Sequence, residues 1–412
     1  MRRRHGAAVT GDPVPRNPTG ALRTLLAIVL AAAAMLGPLN VDMYLPAFPE
    51  MTEDLSGTAS QTQLSLTSCL IGMAIGQFVI GPISDARGRR GPLTWFTALF
   101  ALSSLACAVS PSMELLITAR FLQGFTAAAG VVLSRAVARD VFDGRELTRF
   151  FALLMVINAG APMVAPVLGG ALLALPFGAW PLIFVFLGLI GVGLVLLVRW
   201  RLPETLPPQR RIRGSARVVA ATAVEVLTDR AFLGYALTVG VVHGGSFAYV
   251  AGTPFVYQEI YGVSPQVFGV LFGVNGLAII AGSWAVGRLS ARVAERVLLR
   301  YAVITAVAAT AVLLVAAVVR APLALVVTAI FGYMVAVGMI LTGSFTLAMA
   351  EQAHRAGSAG AVLGALPLII GAIVSPLVGL DESSALPMAA VLFGSSVLGG
   401  VAFAALTGPR RR

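Results

Sequence analysis

The chain has 412 residues, of which 58% are hydrophobic and 11% charged, with a mean hydropathy of +0.90. A soluble chain averages about 25% charged residues, and here apolar runs of about 20 residues recur, so a water-soluble globule is excluded and an integral membrane protein is indicated. The formal net charge is +11 and all 29 basic residues are Arg; without Lys there is neither a Walker A phosphate loop nor Schiff-base chemistry. The missing Lys beside abundant Ala, Val, Gly and Arg reads as the codon bias of a GC-rich genome. Arg stays protonated at cellular pH, so proton-handling groups must come from the 18 acids and three His.

In chain order, Arg2, Arg3 and Arg4 precede a polar, Pro-bearing stretch (11–20) and then an apolar run too long for a signal h-region, so a retained span rather than a cleavable signal is expected. Spans are predicted at 22–46, 64–84, 92–110, 113–134, 150–175, 179–198, 231–257, 266–287, 301–319, 322–349, 359–379 and 385–407. With a cytoplasmic N-terminus, twelve crossings return the C-terminus, with Arg410, Arg411 and Arg412, to the same side. Arg87, Arg89, Arg90, Arg135, Arg139, Arg145, Arg149, the 199–230 cluster, Arg288, Arg292, Arg296, Arg300 and Arg355 then also lie inside. Arg320 falls in an external loop, and the external loops carry Glu50, Glu53, Asp54, Glu259, Asp381 and Glu382. This is the positive-inside pattern: the Arg excess sets topology and predicts no nucleic-acid partner. Cys69 and Cys107 sit inside spans two and three as small buried hydrophobes, with no disulfide framework.

The polar stretch 199–230, with Pro203, Pro207, Pro208 and seven Arg, divides six spans from six. A shift of 206 residues places Gly81 on Gly287 and Ser84 on Ser290, and span one on span seven. The expected fold is therefore an all-α membrane protein, with twelve transmembrane helices in two six-helix bundles flanking a cleft. Its parts are a cytoplasmic tail (1–21), a first half (22–198), a cytoplasmic linker (199–230), a second half (231–407) and a basic cytoplasmic tail (408–412).

Four motifs carry chemistry. GPISDARGRR (81–90) sets a Gly-Pro break, an acid and three Arg at a membrane surface, where Asp85 can pair with an Arg to latch helix ends. Arg120, in RFLQGFTAAAG (120–130), lies about 10 Å below the external face at 1.5 Å per residue, a costly depth unless a partner or water meets it. Asp42, in NVDMYLPAFP (40–49), occupies a similar depth on span one and is its expected partner; an acid whose cation comes and goes can take up and release a proton. NAGAPMVAPVLGG (158–170) combines Pro162 and Pro166 with Gly160, Gly169 and Gly170, giving a kinked, closely packed helix.

These strings resemble the major facilitator superfamily. Gly81, Asp85, Gly88, Arg89 and Arg90 match its loop signature G-x-x-x-D-x-x-G-R-R, which implies a gating latch; the counterpart GRLSARVAER (287–296) lacks the acid. Arg120, Gln123 and Gly124 match its span-four motif R-x-x-Q-G, implying a role for Arg120 in proton coupling. The 158–170 run resembles the drug/proton antiporter motif G-x-x-x-G-P-x-x-G-G, with Ala-Pro in place of Gly-Pro. The DMYLP string, with 251–265, 268–276 and 354–373, resembles the bicyclomycin-resistance and chloramphenicol-export (Bcr/CflA) branch, in which Asp42 would be the proton carrier.

His243, near the middle of span seven, is a further candidate, and Gln77, Asn158 and Asn275 either join helices or meet substrate. Tyr44, Phe247, Tyr249, Phe255, Tyr257, Met334 and Met339 suit loosely specified amphiphiles; Tyr44, Gln123, His243, Phe247 and Asn275 are taken as candidates for a substrate cavity. The resemblance implies a proton-coupled multidrug exporter of the bacterial inner membrane, working as a monomer on a small-molecule substrate and protons, with no cofactor and no metal. An exporter of an endogenous metabolite or self-made antibiotic is the alternative. A membrane-embedded enzyme would need clustered His, Asp or Glu within the spans, where Asp42 and His243 sit on separate halves; a receptor would be expected to carry an additional ligand-reading domain.

Overall fold

The computed structural model of the chain describes residues 17–211, 225–352, 356–381 and 384–407. Arg2, Arg3, Arg4, Arg213, Arg217, Arg355, Glu382 and Arg410 to Arg412 lie outside the described residues, as do the side chains of Arg145 and Asn158. Among the described residues all regular structure is helical. The α-helices are α1 (Gly20–Asp42), α2 (Phe48–Asp54), α3 (Ala59–Arg87), α4 (Arg90–Ala108), α5 (Met113–Val141), α6 (Gly144–Leu173) and α7 (Trp180–Arg201) in the first half. In the second half they are α8 (Arg230–Phe255), α9 (Pro265–Leu289), α10 (Glu295–Val318), α11 (Leu323–Glu351), α12 (Ala356–Val374) and α13 (Leu386–Leu406).

Among the described residues, eleven helical segments are long and apolar enough to cross a membrane, by length and composition. The 30-residue α6, which carries Pro162 and Pro166 in its interior, completes the alternating up-and-down order. Every predicted span has its helix, but several helices overrun the apolar run that revealed them. The span at 64–84 is only the middle of α3, because Thr58 and Gln61 cap that helix reciprocally and carry it outward into polar sequence. Ser112, Asp229 and Ser264 likewise accept from backbone N–H groups at the starts of α5, α8 and α9.

Span one differs more. Its helix ends at Asp42 and the chain turns through Leu45–Ala47 into the short α2. Pro46 and Pro49 fall at the first positions of these two pieces, where a missing N–H costs no helical hydrogen bond. Helix α2 is pinned to α7: Trp180 donates its backbone N–H to Glu50 at 3.2 Å and its indole N–H to Asp54 at 2.7 Å.

Each half repeats one packing plan. Helix α3 lies against α5, and α9 against α11. Both pairs close on glycine: a Cβ at Gly76 would stand 2.5 Å from the Phe125 carbonyl oxygen, and one at Gly282, 206 positions on, would run into the Val335 carbonyl. Small residues let backbones approach where lipid gives helices no hydrophobic reason to associate. The halves meet along two seams, α6 with α9 and α3 with α12. Asn17 and Thr407, the first and last described residues, and the described Arg-rich loops fall at one end of the bundle, here the basic end; the loops at 43–58, 109–112, 174–179, 261–264, 319–322 and 375–381 form the acidic end.

Candidate functional site

Arg120 is fully buried on α5, one of the largest enclosed side chains in the protein. Its Nη1 donates to Asn40 Oδ1 and to Gln123 Oε1, both at 2.6 Å, and its Nη2 donates to the Asn40 carbonyl at 2.9 Å. The guanidinium carbon lies 4.1 Å from the centroid of the Tyr44 ring and 5.6 Å from that of Phe184. Charge-assisted hydrogen bonds of about 1.5–3 kcal/mol each and cation–π contact of about 2 kcal/mol in a desolvated site offset the cost of burying a cation. Arg120 Nε has no hydrogen-bond partner among the described residues.

The cage is braced from outside. Asn40 Nδ2 donates to Cys69 Sγ at 3.0 Å, Gln123 Nε2 donates to Ser104 Oγ at 2.7 Å, and Cys107 Sγ donates to Gln123 Oε1 at 3.4 Å. Gln123 therefore joins α5 to α4 rather than facing a cavity. Tyr44 is fully enclosed, its hydroxyl 3.2 Å from Ser65 Oγ.

The expected Asp42–Arg120 ion pair does not form. Residues two apart on a helix point about 200° away from each other, and it is Asn40 that faces α5. Asp42 is 6% exposed at the last turn of α1, with neither an ion pair nor a hydrogen-bond partner among the described residues. Asn40 escaped the sequence reading because it is uncharged; its one signal was its place, a polar residue two positions before an intramembrane acid.

The motif of span five lies on the seam between the halves. A Cβ at Gly170 would stand 3.0 Å from the Pro265 carbonyl oxygen, and one at Gly269 would stand 2.7 Å from that of Pro166. Gly169 faces the Met43 carbonyl just past Asp42, whereas Gly160 faces open space. Pro162 and Pro166 therefore stand on the stretch of α6 that meets the second half.

At the basic end the loop 81–90 is a built cluster. Arg89 donates through Nη1 to Asp85 at 2.6 Å and to Ser84 Oγ at 2.7 Å, and through Nε to Asp140 at 2.8 Å. Burial works against its charge, but the bonds to Asp140 and Asp85 outweigh it, so the guanidinium pKa lies above its usual value. Glu204 of the linker accepts from the backbone N–H groups of Arg89 at 2.8 Å and Arg90 at 3.3 Å, and from Thr205 and Leu206 at 3.0 and 2.9 Å. Its carboxylate thus sits on the N-terminus of α4. Gly88 is needed twice: its φ is +94°, and a Cβ would lie 2.5 Å from Glu204 Oε2. Gly81 has room for a side chain. Arg90 donates to the Arg199 carbonyl at the end of α7. Asp140 and Glu204 were missed in the sequence; the visible sign of Glu204 was its place as the one acid among the six Arg of 199–217.

In the second half, half-buried His243 has Nδ1 3.3 Å from Ser246 Oγ and its ring 5.9 Å from that of Phe247. Phe247 packs on Gly371 of α12. Asn275 Nδ2 donates to the Tyr249 hydroxyl at 2.9 Å. Hydrogen bonds and ring contacts between the halves lie near the acidic end. Among the described residues they join Ser60 Oγ to the Gly379 carbonyl (2.8 Å), Gln63 to the Ala251 carbonyl (3.5 Å), Gln258 to the Pro46 carbonyl (3.2 Å) and Phe48 to Phe255 (5.9 Å).

Two six-helix repeats with glycine-lined seams and polar side chains buried between their helices define a helical membrane carrier. The sequence model of the Major Facilitator Superfamily matches residues 30–376, and the chain belongs to that superfamily. It is 61% identical to the Bacillus subtilis protein named "Uncharacterized MFS-type transporter YdgK", over 96% of this chain and 98% of that one. It is 31% identical to the "Bicyclomycin resistance protein homolog" of Haemophilus influenzae, over 92% and 95% of the two chains. The fold is shared with the partially occluded, inward-open xylose transporter XylE from E. coli, with a TM-score of 0.74 at 12% identity over 95% and 99% of the chains. The protein is a multi-pass membrane transporter and not an enzyme.

Proposed function

We propose that this transporter is a proton-coupled antiporter that exports drug-like small molecules across the bacterial inner membrane by alternating access. The basic end and both chain ends lie in the cytoplasm under the positive-inside rule. The observation that carries the reading is Asp42: a buried carboxylate at the end of α1, beside the seam, with no partner among the described residues to hold its charge. A charge so placed is costly, and taking up a proton removes the cost.

Arg120 enters through Asn40 rather than through a direct ion pair. Two of its three hydrogen bonds end on Asn40, one residue of the same helical turn as Asp42. A change of charge at Asp42 that displaces the end of α1 therefore disturbs the arginine cage, and the Gly169–Met43 contact carries the displacement to α6 at the seam. The clasp at the acidic end must open when the outward-facing state forms, while the Arg89 cluster latches the basic end. The names of relatives such as the bicyclomycin resistance homolog favour drug-like cargo.

Reconstituted vesicles test the coupling. With the interior acidified, a transported compound added outside should collapse the pH gradient through the wild-type protein. Asp42→Asn should abolish that exchange while reaching the membrane in normal amounts. Full gradient-driven exchange by Asp42→Asn would remove Asp42 as the carrier.

A further inference from the structure

The segment 285–301, which ends α9, turns and begins α10, carries Arg288, Arg292, Arg296 and Arg300 against a single acid, Glu295. Arg296 is spent on the Thr407 carbonyl. The other three are exposed, and their guanidinium groups have neither an ion pair nor a hydrogen bond among the described residues. The loop of the first repeat differs. There Arg89 is neutralised by Asp85 and Asp140, and the Glu204 carboxylate covers the start of α4. No side chain caps the start of α10, and the second loop keeps its excess of positive charge.

Two aromatic rings accompany these charges. The Arg288 guanidinium carbon lies 5.9 Å from the centroid of the Trp284 ring, and that of Arg300 lies 5.6 Å from the Tyr301 ring. Both rings face outward, Trp284 being 66% and Tyr301 56% exposed, and Leu289 and Ile304 of the same two helices are exposed as well. At 1.5 Å per residue the rings lie about 7–9 Å inside the helix ends, the level at which Trp and Tyr meet the headgroup boundary. Side chains tilt toward the N-terminus of their helix. Arg288, near the end of α9, therefore leans into the membrane over Trp284, while Arg300, more than a turn inside α10, leans out, and the two guanidinium groups converge in depth. Helices α9 and α10 both pack on α11 but hardly on each other. Thr346 and Ala350 of α11 are exposed between the sides of that helix that meet α9 at Gly338 and α10 at Gly343. A furrow thus runs into the membrane between α9 and α10, with the Arg groups at its mouth.

We infer that this furrow holds one anionic phospholipid from the leaflet at the basic end. Its phosphate sits among Arg288, Arg292 and Arg300, and an acyl chain follows the furrow past Trp284 and Tyr301. Both parts of the site select this occupant. Unbalanced Arg at a membrane surface attract an anionic headgroup, and exposed rings and aliphatic side chains at bilayer depth match a chain that a free phosphate lacks. In the first repeat the docked linker supplies the anion beside the loop; in the second the bilayer does. The site needs neither antiport nor any particular cargo.

The test is native mass spectrometry of the purified full chain, titrated in detergent with phosphatidylglycerol or phosphatidylcholine. The wild type should bind one phosphatidylglycerol more tightly than any that follow, and more tightly than phosphatidylcholine. Arg288→Gln/Arg300→Gln should weaken that first phosphatidylglycerol at least tenfold, about fivefold for each charge, and leave phosphatidylcholine within about twofold. Arg199→Gln/Arg201→Gln removes two charges from the same end of the first half and should leave phosphatidylglycerol within about twofold. An equal loss in the two double variants makes the attraction a property of the whole basic surface and overturns the site, as does no change in either. Inorganic phosphate in large excess should not displace the lipid; displacement would mark a site for soluble anions and overturn the assignment. If the double variant does not fold, Arg292→Gln and Trp284→Leu decide. Phosphatidylglycerol alone should weaken, about fivefold in the first and about threefold in the second, and an effect shared by phosphatidylcholine again overturns the site.

Discussion

The loop between α3 and α4 and the loop between α9 and α10 are the same element of two repeats, 206 positions apart, and they have kept different parts. In both, a serine hydroxyl donates to the glycine carbonyl three residues back, Ser84 to Gly81 at 2.8 Å and Ser290 to Gly287 at 3.2 Å. In both, the equivalent arginine reaches the carbonyl end of its half's last helix, Arg90 to Arg199 and Arg296 to Thr407. There the likeness stops. Asp85, Gly88 and Arg89 face Ala291, Ala294 and Glu295 under the shift, and α10 begins without a side-chain cap. What both halves retain closes a six-helix bundle; what only the first half has, a buried arginine between two acids with the linker docked on it, is available for switching.

The comparison breaks most sharply at Arg89. Its side chain is 9% exposed and that of Asp140 is 16% exposed, so Arg89→Ala leaves two carboxylates without their cation. About 3 kcal/mol of stability should go, the usual cost of removing one partner from a buried pair, read as a fall in melting temperature in detergent. Transport should fall by more than tenfold, because a latch that cannot form leaves one access state unsupported. An Arg89→Ala protein with wild-type transport would reduce the cluster to scaffold.

Glu204 comes next. Glu204→Gln keeps the shape of the side chain but removes the charge that four backbone N–H groups share, and about 1–2 kcal/mol should follow from weakening charge-assisted bonds at a helix N-terminus. The sharper readout is limited proteolysis: the linker should be cut faster in the variant once it is undocked from α4. Unchanged cleavage would mean that the linker is held by something other than this carboxylate.

These two residues also mark where sequence reading ends. Each of the twelve apolar runs falls on a helix because the bilayer imposes a length on a crossing. Helix ends were less legible, since caps such as Thr58 with Gln61 extend a helix through polar sequence that hydropathy discounts. Depth could be counted from a helix end, which placed Asp42 and Arg120 at one level; facing could not, and a turn of about 200° between positions 40 and 42 gave Arg120 an asparagine instead of an aspartate. The Arg89 loop was legible as a motif, yet its partners Asp140 and Glu204 come from 51 and 115 positions away. Packing alone brings such residues together.

The smallest effect is expected at the shared part, and it is the control that gives the larger ones meaning. Arg90→Ala and Arg296→Ala each remove one guanidinium from the carbonyls that end a helix. That contact combines a hydrogen bond with the favourable placement of a cation at a helix C-terminus, worth about 1 kcal/mol at a partly exposed site. The two variants should therefore lower melting by similar small amounts and transport at close to the wild-type rate. Matched losses would establish that the repeat has conserved a structural cap while only the first half acquired a switch. A large transport defect in Arg90→Ala with none in Arg296→Ala would instead place Arg90 inside the latch with Arg89 and Asp85.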